Sequence, residues 1–142
     1  MKPPSLPLES INHVARATND LDASLAFYRD VLGFRPIHRP DFGFPGAWLY
    51  NYGLQIHLIA ASSDQAIDDR EISIRTDHIA FHTQDSSVVE DLLQAHGIPY
   101  KSNYVADSGV TQFFFHDPDG NHIEIGSYSP IRKMDGDKMD GD

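Results

Sequence analysis

The sequence has no cysteine, a single tryptophan and few basic residues. The lack of Cys excludes a disulfide framework, a cysteine-ligated zinc or iron–sulfur site and a cysteine nucleophile. Asp and Glu number 21 against 11 Lys and Arg, so the formal charge is −10, and the basic residues form no stripe that would face phosphates. We therefore expect neither nucleic acid nor an anionic membrane surface as a partner.

Long apolar runs are also missing. No segment approaches the roughly 20 consecutive apolar residues that a transmembrane helix requires. The first seven residues are rich in proline and contain no apolar stretch of the kind found in a secretory signal. The length of 142 residues is that of one domain with a sizeable core. We expect an acidic, single-domain, cytoplasmic protein.

Between two polar ends the chain shows one pattern twice. Residues 1–10 are rich in proline, and residues 129–142 contain two copies of Lys-Met-Asp-Gly-Asp, so we expect both ends to be disordered tails. Residues 11–128 form the expected single domain, with a first module at about 11–60 and a second at about 77–128. Each module contains one strand, one helix and three further strands, which predicts an α+β fold with two βαβββ modules forming a cupped mixed sheet.

Helix boundaries mark both modules. Thr18, Asn19 or Asp20 offers an N-cap for the first helix, which ends at Gly33, and the second helix starts after Asp85 or Ser86 and ends at Gly97. About 65 positions separate Gly33 from Gly97, and a similar interval separates His13 from His78 and His57 from Glu124. The equal intervals favour a structural repeat.

Four polar side chains stand out on the predicted strands. Residues alternate between the two faces of a strand, and His57, His78 and Glu124 each lie opposite the apolar residues of their own strand. His13 lies opposite Val14 in the first predicted strand, residues 11–17. We predict that these four side chains converge on one divalent ion, since three imidazoles and one carboxylate suit Zn, Ni, Fe, Co or Mn. Acidification through the imidazole range should release the metal.

Other polar and aromatic residues have simpler interpretations. Any single strand His is more often a hydrogen-bonded structural residue than a ligand, so the prediction depends on the matched positions in both modules. We expect His82 and His122 to lie beside the metal or in solvent, and the remaining three, His38, His96 and His116, at the surface. Phe42 and Phe44, in a loop rich in Gly and Pro, and one face of Trp48 are candidate walls of a substrate cavity.

Several stretches resemble a known family. Residues 12–14, 24–34, 77–81 and 114–125, which include Asp-Pro-Asp-Gly-Asn at 117–121 followed by Glu124, are similar to the vicinal oxygen chelate superfamily. That superfamily contains glyoxalase I, fosfomycin-resistance thiol transferases, extradiol dioxygenases and bleomycin-binding proteins. The similarity covers about residues 11–127, and residues 44–58 further resemble the glyoxalase I-like subgroup common in plants.

The resemblance assigns roles to the four polar residues. His13, His57, His78 and Glu124 match the metal ligands of the first, fourth, fifth and eighth strands, and Glu124 also matches a catalytic base. Glyoxalase I usually has Glu at the position of His57. The resemblance implies a metal-dependent lyase or isomerase of the lactoylglutathione lyase type. Its substrate would carry two vicinal oxygens, nominally a glutathione hemithioacetal with glutathione as cosubstrate.

Three other activities occur within the same superfamily. A fosfomycin-type metallothiol transferase would use His13, His78 and Glu124, and an Fe(II) extradiol dioxygenase would leave His57 as a bystander. A small-molecule binding protein of the bleomycin type would need no metal. The resemblance also implies a homodimer, and the sequence leaves open whether the four ligands meet within one chain or across two.

Overall fold

The structure, a computed structural model, describes residues 2–61 and 71–128. Its strands are β1 (Val14–Thr18), β2 (Arg35–Ile37), β3 (Gly46–Asn51), β4 (Leu54–Ala60), β5 (His78–His82), β6 (Tyr100–Val105), β7 (Val110–His116) and β8 (His122–Gly126). Its helices are α1 (Leu21–Ala26), continued by a π-helical turn (Phe27–Val31), and α2 (Ser86–Ala95). Neither of these helices has the length and apolar character needed to cross a membrane.

The two ends of the chain differ in what the structure describes. Residues 2–10 form no helix or strand and are exposed to solvent. The predicted tail at 129–142 lies outside the described residues.

The strands form two sheets with the same order. The first sheet has the order β1-β4-β3-β2 and the second has the order β5-β8-β7-β6. In each sheet the first and last strands of the module pair in parallel, and the remaining neighbours are antiparallel. The predicted α+β fold with two βαβββ modules is thus confirmed, and His57 on β4 occupies the strand equivalent to that of Glu124 on β8.

The chain divides into two compact units. Most of the first unit is the first module, and most of the second unit is the second module, but the turn Asp117–Asn121 between β7 and β8 belongs to the first unit. Asp117 is 4% exposed and accepts a hydrogen bond of 2.7 Å from the hydroxyl of Tyr28. Asp119 accepts hydrogen bonds from the backbone N–H of Asn19 and the hydroxyl of Ser24. The two carboxylates therefore fasten this turn to the first helix and the residues that precede it.

The first helix begins where the sequence predicts and ends in a wider turn. The side chain of Asp20 caps α1 by accepting a hydrogen bond from the N–H of Ala23. Beyond Ala26 the backbone widens into a π-helical turn, which the side-chain spacing did not predict. Gly33 ends the helix with φ +82°, in the left-handed region that favours glycine, and a Cβ at this position would lie 2.7 Å from the Tyr52 hydroxyl.

Each unit has its own apolar core. In the first unit the most deeply buried apolar side chains come from the π-helical turn, from the residue before β2, and from β3 and β4: Tyr28, Phe34, Leu49, Ile56 and Leu58. In the second unit they come from β7, β8 and α2: Phe113, Phe114, Phe115, Ile123 and Leu93. Burial of each such side chain contributes about 1.5–3 kcal/mol. These cores hold β4 and β8 rigidly, and with them the candidate site residues.

Candidate metal centre

The first unit brings His13 and His57 together. Their rings are stacked, with centroids 3.9 Å apart and planes 11° apart. His57 lies on β4 beside Ala15 of the parallel strand β1. β1 begins at Val14, so the predicted strand at 11–17 was wrong at its start, and His13 lies in the extended segment just before it. Its position two residues before Ala15 still allows its ring to reach His57.

Hydrogen bonds fix which ring nitrogen of each histidine carries the proton. His13 Nδ1 lies 2.8 Å from the amide oxygen of Asn12, and His57 Nε2 lies 3.1 Å from that of Gln55. An amide oxygen only accepts hydrogen bonds, so these nitrogens donate, and His13 Nε2 and His57 Nδ1 keep free lone pairs. Burial, followed by the nearby charges of His13 and Arg39, lowers the pKa of His57 and favours its neutral, ligating form.

The second unit brings His78 and Glu124 together. Glu124 pairs with Ala80 across β5 and β8, which places His78 two residues along the same face. His78 Nε2 lies 3.2 Å from Glu124 Oε1. His78 Nδ1 lies 2.8 Å from the carbonyl oxygen of Thr76, which only accepts, so Nδ1 donates. In the neutral ring, Nε2 therefore directs a lone pair towards a carboxylate oxygen, an arrangement that favours a cation bound by both atoms.

Glu124 has a further partner that sequence reasoning missed. The hydroxyl of Tyr128 donates to Glu124 Oε2, and the backbone N–H of Tyr128 is held by His82 Nδ1 at 2.9 Å. Burial, with a smaller contribution from the hydrogen bond to Glu124, raises the pKa of Tyr128 to about 12. The phenol thus stays protonated and orients the carboxylate. The only sequence signal was a tyrosine four residues after Glu124.

The two pairs lie in different units. Within residues 2–61 and 71–128, no three His, Asp or Glu side chains are grouped as metal ligands. The convergence of all four residues therefore stays a prediction. The donor set nevertheless suits a borderline divalent cation, because each of the three imidazoles has one nitrogen held by an oxygen acceptor, as in metal-bound histidines. Among the described residues, the other nitrogen is without a hydrogen bond in His13 and His57, and it faces Glu124 in His78.

The remaining histidines differ in part from expectation. His38 and His96 are exposed, as predicted. His116 was predicted at the surface, but it is partly buried and its Nε2 lies 3.1 Å from His122 Nε2. His122 is only 3% exposed and accepts a hydrogen bond from the N–H of Ser73, so it serves the packing of the second unit.

A cavity adjoins the first pair of histidines. It has a volume of about 330 Å³, and its walls include Phe42, Phe44 and Trp48 together with His13 and His57. Trp48 stands directly across the β3–β4 ladder from His57, and the two rings stack with centroids 4.0 Å apart. The three aromatic residues that the sequence suggested as cavity walls thus share one cavity, and their contact with substrate stays a prediction.

Arg39 also lines this cavity. Sequence reasoning missed it, because a single cation in a loop carries no periodic signal. Its guanidinium carbon lies 5.0 Å from the ring centre of Phe42 and 5.1 Å from that of Phe44. The cavity therefore combines aromatic walls, two imidazoles and one positive charge.

Comparisons with known proteins agree with this architecture. Residues 10–125 match the family model of the Glyoxalase/Bleomycin resistance protein/Dioxygenase superfamily. The Arabidopsis thaliana protein named Glyoxylase I 4 is 43% identical over 124 residues, which cover 84% of this chain and 71% of that protein. Lactoylglutathione lyase of Haemophilus influenzae is 29% identical over 121 residues, which cover 81% and 90% of the two chains.

A solved structure shares the fold at low sequence identity. The genomically encoded fosfomycin resistance protein FosX of Listeria monocytogenes superposes with a TM-score of 0.70 at 18% identity, over 86% of this chain and 94% of that one. Because the family model covers most of the sequence, the chain belongs to the Glyoxalase/Bleomycin resistance protein/Dioxygenase superfamily.

Proposed function

We propose that the protein is a metal-dependent lyase or isomerase of the glyoxalase I type. Its substrate would be a small molecule with two vicinal oxygens, nominally a glutathione hemithioacetal. The likeness to proteins named Glyoxylase I 4 and lactoylglutathione lyase supports this reaction class. The observation that carries the proposal is the pair formed by His78 Nε2 and Glu124 Oε1, two cation-seeking atoms 3.2 Å apart.

His13 and His57 would complete the ligand set. Each has one ring nitrogen donating to an amide oxygen, and the other is available to a metal. Because the described part of the chain contains no group of three such ligands, we propose that two copies of the chain form a homodimer. In this homodimer the histidine pair of one copy and the His78–Glu124 pair of the other hold one metal.

Glu124 would move the proton. A divalent metal held by the proposed ligands would act as a Lewis acid that polarises the substrate. The carboxylate of Glu124 takes the carbon-bound proton and returns it to the neighbouring carbon, which is general base followed by general acid catalysis. Glu124 is only 6% exposed, and the hydroxyl of Tyr128 holds one of its oxygens, so the carboxylate is shielded from water and oriented.

His57 changes the charge of the site. A neutral imidazole at this position, where glyoxalase I usually carries a carboxylate, leaves about one more unit of positive charge. The extra charge favours anionic oxygens on the substrate. It also leaves Glu124 as the one carboxylate among the proposed ligands, so both proton transfers depend on this residue.

The test is formation of the lactoylglutathione thioester from methylglyoxal and glutathione. Purified protein is stripped with a chelator, reloaded separately with Zn, Ni, Co, Mn or Fe, and assayed by thioester absorbance. We expect turnover with at least one metal and a loss of about 100-fold or more in kcat for Glu124→Gln. Absence of turnover with every metal would overturn the proposal.

A matched variant controls for the substitution. His96→Ala removes an exposed histidine of the second unit, far from any proposed role, and should keep the activity of the unaltered protein. His78→Ala should lose both metal and activity. Equal activity in the two histidine variants would also contradict the proposal.

A further inference from the structure

We propose that the cavity beside His13 and His57 binds a flat, unsaturated carboxylate, and that Arg39 pairs with the carboxylate group. This inference goes beyond the proposed function, because the nominal glutathione hemithioacetal is not a flat molecule. It adds a further class of ligand for the cavity and the residue that selects it.

Arg39 has donors with no partner in the described part of the chain. Its Nε is buried and makes no hydrogen bond, and no carboxylate among residues 2–61 and 71–128 forms an ion pair with it. An Nε–H group that is buried without an acceptor is costly unless something binds it. A carboxylate is the group that matches its fork of donors, because two parallel hydrogen bonds can form.

The wall of the cavity holds the guanidinium in place. The rings of Phe42 and Phe44 stack on each other with centroids 5.9 Å apart, and each lies about 5 Å from the central carbon of the guanidinium. Gly46 provides the space, because a Cβ there would lie 2.9 Å from both Nε and Nη2 of Arg39. The contacts with the two rings account for the position of the positive charge but leave its N–H groups without acceptors.

The other walls suit a planar group. The ring of His57 is stacked between those of Trp48 and His13, and Phe42 lies 5.8 Å from Trp48 at a tilt of 39°. The aromatic surface left to a ligand is therefore that of Trp48 away from His57 and of Phe42 and Phe44, and such surfaces pack favourably on another flat π-system. The cavity volume of about 330 Å³ is that of a small-ligand site.

The charge of the lining selects an anion. Arg39 is the one Lys or Arg among the residues that line the cavity, and no Asp or Glu is among them. The protein as a whole is strongly acidic, with a formal charge of −10. The positive charge of Arg39 is therefore confined to this cavity, where it favours the binding of a small anion over that of a cation.

The test is ligand binding to metal-free protein. Trp48 is the only tryptophan of the chain and lines the cavity, so its fluorescence reports binding directly. The protein in excess chelator is titrated with benzoate, with its neutral isostere benzamide, and with acetate, which lacks the ring. We expect benzoate to bind at least about tenfold more tightly than either of the other two.

Variants identify the group responsible. Arg39→Gln should bind benzoate and benzamide equally, and Arg39→Lys should show an intermediate preference, because it keeps the charge but loses the fork. Arg35→Gln is the matched control, since Arg35 is an exposed residue of β2 that does not line the cavity. It should retain the full preference. Circular dichroism checks that each variant is folded.

Two results would overturn the inference. One is equal affinity for benzoate and benzamide in the unaltered protein, a comparison that needs no variant. The other is an unchanged preference in folded Arg39→Gln, which would show that Arg39 serves only to pack against the two phenylalanines. Because this test uses metal-free protein, a failure to prefer benzoate would leave the proposed reaction unaffected. Conversely, absence of turnover in protein that still binds benzoate would refute the reaction and leave the carboxylate site unaffected.

Discussion

His78 Nε2 lies 3.2 Å from Glu124 Oε1, while the other nitrogen of the same ring donates to the carbonyl of Thr76. Two acceptors at this distance repel each other unless a positive charge binds both. A proton can serve, and so can a divalent metal that also contacts further ligands. We propose that the pair is half of a metal site; its geometry is set by the register of β5 and β8.

The first prediction concerns the homodimer. His57→Ala damages the histidine pair and Glu124→Gln damages the other pair, so each variant alone should be inactive. If sites form across two copies, each mixed dimer regains one intact site. Random mixing should then restore about a quarter of the activity of the unaltered protein. Lactoylglutathione formation after co-refolding or subunit exchange measures this.

Two controls accompany the mixing experiment. Each variant refolded alone should stay inactive, and a mixture of His57→Ala with His13→Ala should not recover, because both changes damage the same pair. Absence of recovery in the first mixture, with mixed dimers shown to be present, would place the site within a single chain and refute the shared arrangement.

The second prediction concerns Tyr128. The change Tyr128→Phe removes the hydroxyl that donates to Glu124 Oε2 and leaves a buried carboxylate oxygen without its partner. Loss of such a supporting hydrogen bond should weaken metal affinity about 10- to 100-fold. Competition with a metal-binding dye measures the affinity. Tyr104→Phe, at a 66% exposed tyrosine of the same unit, should leave it unchanged. Equal affinities in the two variants would show that Tyr128 does not support the ligand.

The third prediction concerns the stability of the first unit. The hydroxyl of fully buried Tyr28 donates to the buried carboxylate of Asp117. Tyr28→Phe should lower the free energy of unfolding by about 1.5–3 kcal/mol, the range for a hydrogen bond to a charged group. Urea unfolding measures it. Tyr50→Phe, at an exposed tyrosine, should change it by less than about 0.5 kcal/mol. A loss in Tyr50→Phe as large as that in Tyr28→Phe would contradict this account.

The same tyrosine predicts a pH dependence. Burial, followed by the charge of Asp117 and the hydrogen bond to it, raises the pKa of Tyr28 above its ordinary value. The folded state therefore keeps a proton that the unfolded chain loses above about pH 10. The contribution of Tyr28 to the free energy of unfolding is therefore fully present below that pH and declines as the pH rises further. Above pH 10 the free energy of unfolding of Tyr28→Phe should fall less steeply with pH than that of the unaltered protein. An identical slope in the two proteins would refute the link between Tyr28 ionisation and stability.

Much of the fold was predictable because strands alternate with a period of two. The predicted N-cap positions include Asp20 and Asp85, which cap the helices. The alternation also placed His57 opposite Ile56, a fully buried residue of the same strand. Local hydrogen-bonding and steric rules suffice for features of this kind.

Contacts made over long intervals in the chain were not predictable. The bond between Tyr28 and Asp117 joins residues 89 positions apart, and no local pattern announces it. Arg39 depends on the space left by Gly46, which only the folded chain reveals.

Metal content tests the central claim most directly. Purified protein, reloaded and then dialysed, is analysed for bound metal by elemental analysis beside four variants: His57→Ala, His78→Ala, His38→Ala and His96→Ala. The account predicts stoichiometric metal in the unaltered protein and in the His38 and His96 variants, with loss of metal in both His57→Ala and His78→Ala. Full metal retention by either of the last two variants would contradict a site built from both pairs.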